Sequence, residues 1–541
     1  MKRIILTLLI IPLHLFGQGD IYFSPVFDVS EVKTGLQSIS QNDLRAHITF
    51  LSSDPLEGRE TGEKGLQIAA EYIASQFRRL GLTSLNPDGS YFQKYELLKI
   101  KFKSDPQFSL IYQEGSSTVK EIFSYREDYF SSSRGIVNGL EVKAPLVFAG
   151  YGITAPEYEY DDYANVDVAS KIVLIIDGEP DISEDTFKGD EDTHHSDIRE
   201  KLKRAKEKKV AALLVASNPK KGEIFSDKYK RWRRWLRRET MLLPSSEKSV
   251  PLFIISSRTA DRILANTGNS LRDLQTELEN DGKSNAQELP DRYVHFILEI
   301  EKTSIITQNV AGLFPGVDPE VGHETIVISA HYDHLGVDDK GSIWHGADDN
   351  GTGTSAVLEI AEAIVWNTTP PKRSFLFLAV SGEEKGLLGS KFYTTQPLLP
   401  LDNTITDLNI DMIGRNAPDS VYIIGSNMIS EDLHEINEYA SGKIDNLFLN
   451  YLYNSLDDPN RFYYRSDHYN FAQYGIPIIF YFAGVHKDYH KPTDTADKID
   501  YAKTEKIARL VYLTGWGISQ NDVRPRINAG EYPEIPDRIK Y

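Results

Sequence analysis

Two histidines and a set of carboxylates follow short apolar runs in this 541-residue chain. The stretch I-V-I-S-A-H-Y-D-H places His331 after an apolar run, and G-A-D-D-N-G-T-G follows with Asp348 and Asp349. S-G-E-E supplies Glu383 and Glu384, N-I-D-M-I-G supplies Asp411, and D-Y-H-K-P-T-D-T supplies His490. Singly these are ordinary residues: an aspartate before a helix is usually an N-cap, and a Glu-Glu pair is usually solvated. Together they are a donor set. Imidazole with carboxylate suits zinc, and carboxylates can bridge two ions. The pooled residues have the composition of a two-metal hydrolytic site with one acid left over.

The elements that must position them can be read from periodicity. Thr325 to Ala330 is apolar on both faces, as expected of a buried strand in a parallel sheet. Ser374 to Val380 is another buried-looking strand, Thr406 to Ile410 leads into Asp411 at a strand end, and Pro477 to Phe482 precedes the polar loop of His490. After Gly351 to Gly353, the residues Ala356, Val357, Ile360, Ala361 and Ile364 recur at helical spacing, so Asp348 and Asp349 stand just before a helix N-terminus. Ligands in open α/β folds gather beyond the carboxyl ends of the strands. One edge of one sheet is therefore expected to collect the whole set.

The motifs S-A-H-Y-D, G-A-D-D-N-G-T-G, S-G-E-E-K-G-L-L-G-S, N-I-D-M-I-G and D-Y-H-K-P-T-D-T, in this order, resemble those of the co-catalytic zinc metallopeptidase family. That family includes secreted bacterial aminopeptidases, glutamate carboxypeptidase, glutaminyl cyclases and the peptidase-like domain of the transferrin receptor. The resemblance spans about residues 303–518, with a further piece near the N-terminus. It implies two zinc ions per chain: His331 and Asp411 on one, Glu384 and His490 on the other, and Asp349 bridging them as the fourth residue of the G-A-x-D pattern. Asp348, His334, Asp338, Asp339 and His345 fall outside the family positions. Glu383 is implied as the general base that takes a proton from a water activated by both metals. The family further implies that Asp333 hydrogen-bonds the ligand imidazole, and that the bond from Asp349 to Asn350 is cis. Tyr489, beside His490, is a candidate donor to the oxyanion. R-S-D-H supplies Arg465, Asp467 and His468 as supporting or substrate-contact candidates.

The chain opens M-K-R-I-I-L-T-L-L-I-I-P-L-H-L-F-G-Q, a basic pair and an apolar run that fit a signal peptide over residues 1–18. Its apolar stretch is short for a membrane span, so an exported, periplasmic or secreted protein without an integral membrane segment is expected. The sequence has no cysteine, hence neither disulfide nor cysteine lipidation. A formal charge of -19 and a pI near 5.2 argue against a nucleic-acid partner.

The expected fold is α/β: a central mixed, largely parallel sheet flanked by helices, interrupted by a β-rich insert. Residues 19–106 form the first catalytic segment, with helical patterns at Leu44 to Leu51 and Gly65 to Leu80 and Gly81 as a C-cap. The loop between them carries Arg59, a candidate for substrate contact or for plain surface. Residues 107–299, with strands at Phe108 to Tyr112, Pro145 to Phe148, Lys171 to Ile176, Ala211 to Val215 and Pro251 to Ile255, resemble the protease-associated domain often inserted in this family. Within it Lys230 to Arg238 reads as an amphipathic surface helix, and His194 and His195 as bystanders. Residues 300–541 complete the catalytic domain, closing with a helix from about Thr504 to Ile518. The long helical dimerisation domain of some relatives is not recognised, so a monomer is expected. The resulting expectation is a zinc exopeptidase acting on peptides, an aminopeptidase first; a carboxypeptidase or dipeptidase, a glutaminyl cyclase and a non-catalytic binding protein are the alternatives.

Overall fold

The computed structural model describes residues 23–528, apart from 134, 137, 183–186, 188–191, 223–224, 228–239, 245–248 and 457. The expected signal peptide and the segment Lys230 to Arg238 lie outside the described residues. The chain forms two compact units, one from residues 1–93 and 308–541 and one from residues 94–307. Among the described residues no helix is long and apolar enough to cross a membrane.

In the first unit, α1 (Gln41–Leu51) starts where the Ser40 side chain accepts a hydrogen bond from the Asp43 amide, an N-cap that satisfies one orphan donor. The next helix, α2 (Lys64–Arg79), buries Leu66, Ala69, Ala70, Ile73, Ala74 and Phe77 along one face. It is closed by Gly81 at φ +73°, the left-handed conformation that glycine adopts without a Cβ penalty. Seven strands of its sheet are β1 (Ile300–Phe314), β2 (Thr325–His331), β3 (Ser374–Val380), β4 (Thr404–Ile410), β5 (Ser420–Ile424), β6 (Phe448–Asn450) and β7 (Ile478–Phe482). These run in the order β1-β3-β2-β4-β7-β5-β6. The four central strands are mutually parallel, while β1 against β3 and β5 against β7 are antiparallel.

Every residue of the central strands β2, β3, β4 and β7 is buried. In β2, β3 and β7 the sequence shows the same fact as nearly unbroken apolar runs, because a strand covered on both faces has no solvent side to alternate with; β4, T-I-T-D-L-N-I, buries Asp407 and Asn409, which accept from Ser329 Oγ. The helices α3 (Gly353–Trp366) and α4 (Tyr501–Gln520) share one core cluster with these strands, in which Ile326, Ile328, Phe375, Phe377, Leu408 and Trp516 are fully buried. The expected mixed, largely parallel sheet flanked by helices is thus the observed one.

The second unit holds an eight-stranded sheet ordered 117–122, 107–114, 287–298, 140–148, 172–176, 212–216, 252–255 and 129–131. The run from 140–148 to 252–255 is parallel and the remaining pairs are antiparallel. Helices at Ile198–Glu207, Ser257–Leu264 and Leu271–Asp281 accompany it.

Candidate metal centre

Apart from Asp349, the residues that the motifs single out as ligands or base lie at or after the C-terminal ends of central parallel strands. His331 is the last residue of β2, Asp411 follows β4, and Glu383 and Glu384 lie in a tight turn that leaves β3 through Gly382 at φ +75°. His490 comes from the loop after β7. Asp349 sits in the irregular turn before α3, and its peptide bond to Asn350 is cis. Asn350 then fastens this turn to the Asp411 strand end: its amide nitrogen donates to Ile410 O at 2.8 Å, and its carbonyl accepts from Met412 N at 3.2 Å.

The side chains meet around Asp349. His331 Nε2 stands 3.3 Å from Asp411 Oδ1 and 3.5 Å from Asp349 Oδ1. On the other side, His490 Nε2 is 3.1 Å from Asp349 Oδ2 and 3.3 Å from Glu384 Oε1. His331, Asp349 and Asp411 offer ligand atoms that lie together closely enough to hold one ion. Glu383 Oε2 lies 4.0 Å from His331 Nε2.

His334, set aside in reading the sequence, also arrives here. Its Nδ1 is 2.9 Å from Glu384 Oε1 and 3.7 Å from Asp349 Oδ2, and the three residues form a second group able to hold an ion. The signal was the spacing itself: His334 follows His331 by three residues in S-A-H-Y-D-H.

Asp333 departs in detail from its expectation. The group within hydrogen-bond reach of His331 Nδ1 is the Asp333 backbone carbonyl at 3.1 Å, whereas the carboxylate stands 3.8 Å away. The carboxylate accepts from Thr61 Oγ1 at 2.8 Å and from the Glu383 amide at 3.2 Å, and so braces the turn that carries Glu383. Arg59 departs further, being neither a substrate contact nor a surface residue. It is 1% exposed and donates to the carbonyls of Tyr332, His345 and Gly346 at 2.8–2.9 Å, and to that of Leu51. It thereby clamps the backbone on both sides of the site. Burial draws its guanidinium down to about 10, against the pull of Asp349 and Asp333.

The electrostatics are those of carboxylates crowded out of water. Burial pushes Glu383 well above the usual carboxylate range; His331 opposes this, while Glu384 and Asp411 add to it. For Glu384 burial works the same way, but His490 and His334 outweigh it and hold the group well below that range. His490 is lifted to about 10 by Glu384 and Asp349 in spite of its burial. The polar atoms that face the buried Asp349 Oδ2 and Glu384 Oε1 are ring nitrogens of His334 and His490, at 2.9–3.7 Å. Buried carboxylate oxygens need compensation, and imidazole with carboxylate is a donor set for divalent transition ions. The residues present therefore fit a metal centre.

Beside this centre opens a small cleft, whose apolar wall includes Met412, Phe462, Phe480, Phe482 and Val485. Tyr489 and Arg465 line it too. The Tyr489 ring stacks on His490 with centroids 3.8 Å apart, and burial next to Asp349 and Glu384 keeps its hydroxyl protonated. Arg465 is exposed, its guanidinium over the Phe462 ring at 4.8 Å. Asp467 and His468 face inward. Asp467 Oδ1 accepts from Ser390 Oγ at 2.5 Å, and His468 lies 2.8 Å from Tyr463 O and stacks on Phe480, neutral because burial draws it down to about 3.

Residues 309–514 match the model of peptidase family M28. The aminopeptidase YwaD of Bacillus subtilis is 27% identical over 236 residues, which are 41% of this chain and 47% of that protein. A probable leucine aminopeptidase of Arthroderma benhamiae is 28% identical over 224 residues, 40% of this chain and 58% of the relative. The chain thus spans about half the length of the curated relatives it matches. Among solved structures, an aminopeptidase from Aneurinibacillus sp. strain AM-1 shares the fold with a TM-score of 0.53 at 20% identity, covering 93% of this chain and 98% of the other.

Proposed function

We propose, from the match of residues 309–514 to the model of peptidase family M28, that the chain is an exported zinc exopeptidase, an aminopeptidase that releases N-terminal residues from peptides. The observation that carries this reading is the division of ligands about Asp349, with His331 and Asp411 on one side and Glu384 and His490 on the other. Two zinc ions would be held there, sharing Asp349. When bound, zinc polarises the scissile carbonyl and makes water available as a nucleophile at neutral pH.

Glu383 is the acid left over. Its Oε2 takes the proton of the attacking water and delivers it to the leaving amine, a role worth typically about 10²- to 10⁴-fold. Burial, which raises its proton affinity, suits it to hold that proton between the two transfers. Asp333 positions it through the Glu383 amide. The Tyr489 hydroxyl, kept protonated, donates to the developing oxyanion. An apolar side chain of the substrate occupies the wall of Met412, Phe462, Phe480 and Phe482.

Arg465 beside the cavity gives a specific reason to keep a second reading, a carboxypeptidase or dipeptidase, because a guanidinium can grip a carboxylate bidentately. Profiling peptides blocked at either end separates the two. Cleavage of C-amidated, free-amine peptides with no cleavage of N-acetylated ones is expected; the reverse pattern would move the assignment. In the same proposal residues 1–18 act as a signal peptide, the second unit is a protease-associated insert that helps to choose substrates, and the protein works as a monomer.

A further inference from the structure

A second cluster of metal-binding chemistry lies in the second unit and shares no residue with the centre around Asp349. Glu157, His194 and His195 each offer one ligand atom, and these atoms lie within 4.8 Å of one another. They come from two tight turns, Pro156–Tyr158 and His194–Ser196, separated by 35 residues or more in sequence. We infer that this cluster is a binding site for a divalent transition ion, zinc foremost, additional to the catalytic centre.

The donor set is two imidazoles and one carboxylate, which zinc accepts in sites that leave a fourth position open. A hard cation such as calcium or magnesium would call for a cage of oxygens instead. The geometry is already gathered. The rings of His194 and His195 lie 3.9 Å apart between centroids, and His195 Nε2 is 2.7 Å from Glu157 Oε1. The His195 side chain is only 8% exposed and packs edge-on to Tyr158 and Phe187, so its ring is oriented before any ion arrives.

The turn that presents both histidines is braced at its base. Glu179 accepts from the Thr193 amide at 2.8 Å and from the Thr193 hydroxyl, and the Thr193 side chain in turn accepts from the His195 amide. In the sequence, residues 177–200, which include both histidines, carry ten acids and two bases, a composition that favours cations over anions. A plain ion pair between His195 and Glu157 accounts for two of the three residues. His194, the chain neighbour of His195, brings a third donor to the same place, and it is the residue on which the two explanations part.

His194→Ala removes one donor and leaves the His195–Glu157 contact in place. The intact wild-type protein and this variant are stripped of metal, reloaded with zinc and desalted, and bound zinc is counted by elemental analysis, with affinity followed by calorimetry. The expected result is one zinc fewer per chain in the variant, with unchanged peptidase activity and circular dichroism. Glu157→Gln, which keeps the shape of the side chain, is expected to weaken this same binding event at least tenfold. Equal zinc content in wild type and His194→Ala, the outcome of an ion pair alone, overturns the inference. So does a zinc deficit in His194→Ala that Glu157→Gln does not reproduce as weakened binding. Neither result bears on the catalytic proposal, whose ligands are different residues.

Discussion

Glu383 and Glu384 are neighbours in the chain with different company: Glu384 Oε1 lies 2.9 Å from His334 Nδ1 and 3.3 Å from His490 Nε2, whereas Glu383 Oε2 comes no nearer than 4.0 Å to His331 Nε2. In the proposed function Glu384 holds a metal and Glu383 moves the proton. Glu383→Gln should therefore retain its full zinc content and its thermal unfolding midpoint while kcat falls by about 10²- to 10⁴-fold. Near-normal turnover in that variant would contradict the assignment.

Asp349 offers one oxygen to each side of the centre, Oδ1 toward His331 and Oδ2 toward His490. Its removal should be felt by both ions. Asp349→Ala is expected to lose both zinc equivalents of the centre, and His490→Ala to lose one. His334→Ala should keep both but hold the ion near Glu384 more weakly. Elemental analysis after dialysis checks all three; a full complement in Asp349→Ala would refute the bridging role.

Arg59 is a stability element. Replacing it by methionine leaves the buried carbonyls of Tyr332, His345 and Gly346 without their donor. Each such loss costs about 1–3 kcal/mol, so a destabilisation of at least about 3 kcal/mol is expected in thermal unfolding of the zinc-loaded protein. Activity should fall with it, since His345 and Gly346 lead directly into the Asp349 turn. An unchanged midpoint would show that the clamp is dispensable.

The second unit should carry a pH dependence of its own. Burial pushes Asp162 up to about 6, although its carboxylate accepts from Tyr151 N, Ile153 N and the Tyr160 hydroxyl. Between its ordinary value near 4 and this raised value, the folded chain binds a proton that the unfolded chain has released. Its contribution to stability is thus full below about pH 4 and is lost as pH rises through about 6, an effect of roughly 3 kcal/mol. Asp162→Asn should flatten this slope, read as the difference between variant and wild type from pH 4 to 7. Parallel curves would remove Asp162 as the cause.

Much of the fold was legible because its central strands are covered on both faces, and total burial writes itself as continuous apolar sequence. Thr325–His331 and Ser374–Val380 could be bounded almost to the residue for that reason. The convergence of His331, Asp349, Glu384, Asp411 and His490 was legible from the strand-end rule together with the ordered motifs. What escaped depends on side-chain direction in irregular backbone. The turn around Asp333 aims its carboxylate at the Glu383 amide, and no periodicity encodes that. Arg59 sits in a polar loop whose composition signals surface, yet its own φ of +48° and four carbonyl partners turn it inward. His334 was set aside because only motif position, and not proximity, can be read from one sequence.

The central claim is that the cluster around Asp349 is a zinc centre that cleaves peptides from the amino end. The most direct test is hydrolysis of a panel of aminoacyl chromogenic substrates by the purified protein, before chelation, after it, and with zinc restored. The account predicts turnover of free-amine substrates, best with apolar side chains, abolished by the chelator and regained with zinc. Turnover that persists in fully stripped protein, or silence from protein that carries its zinc, would contradict it.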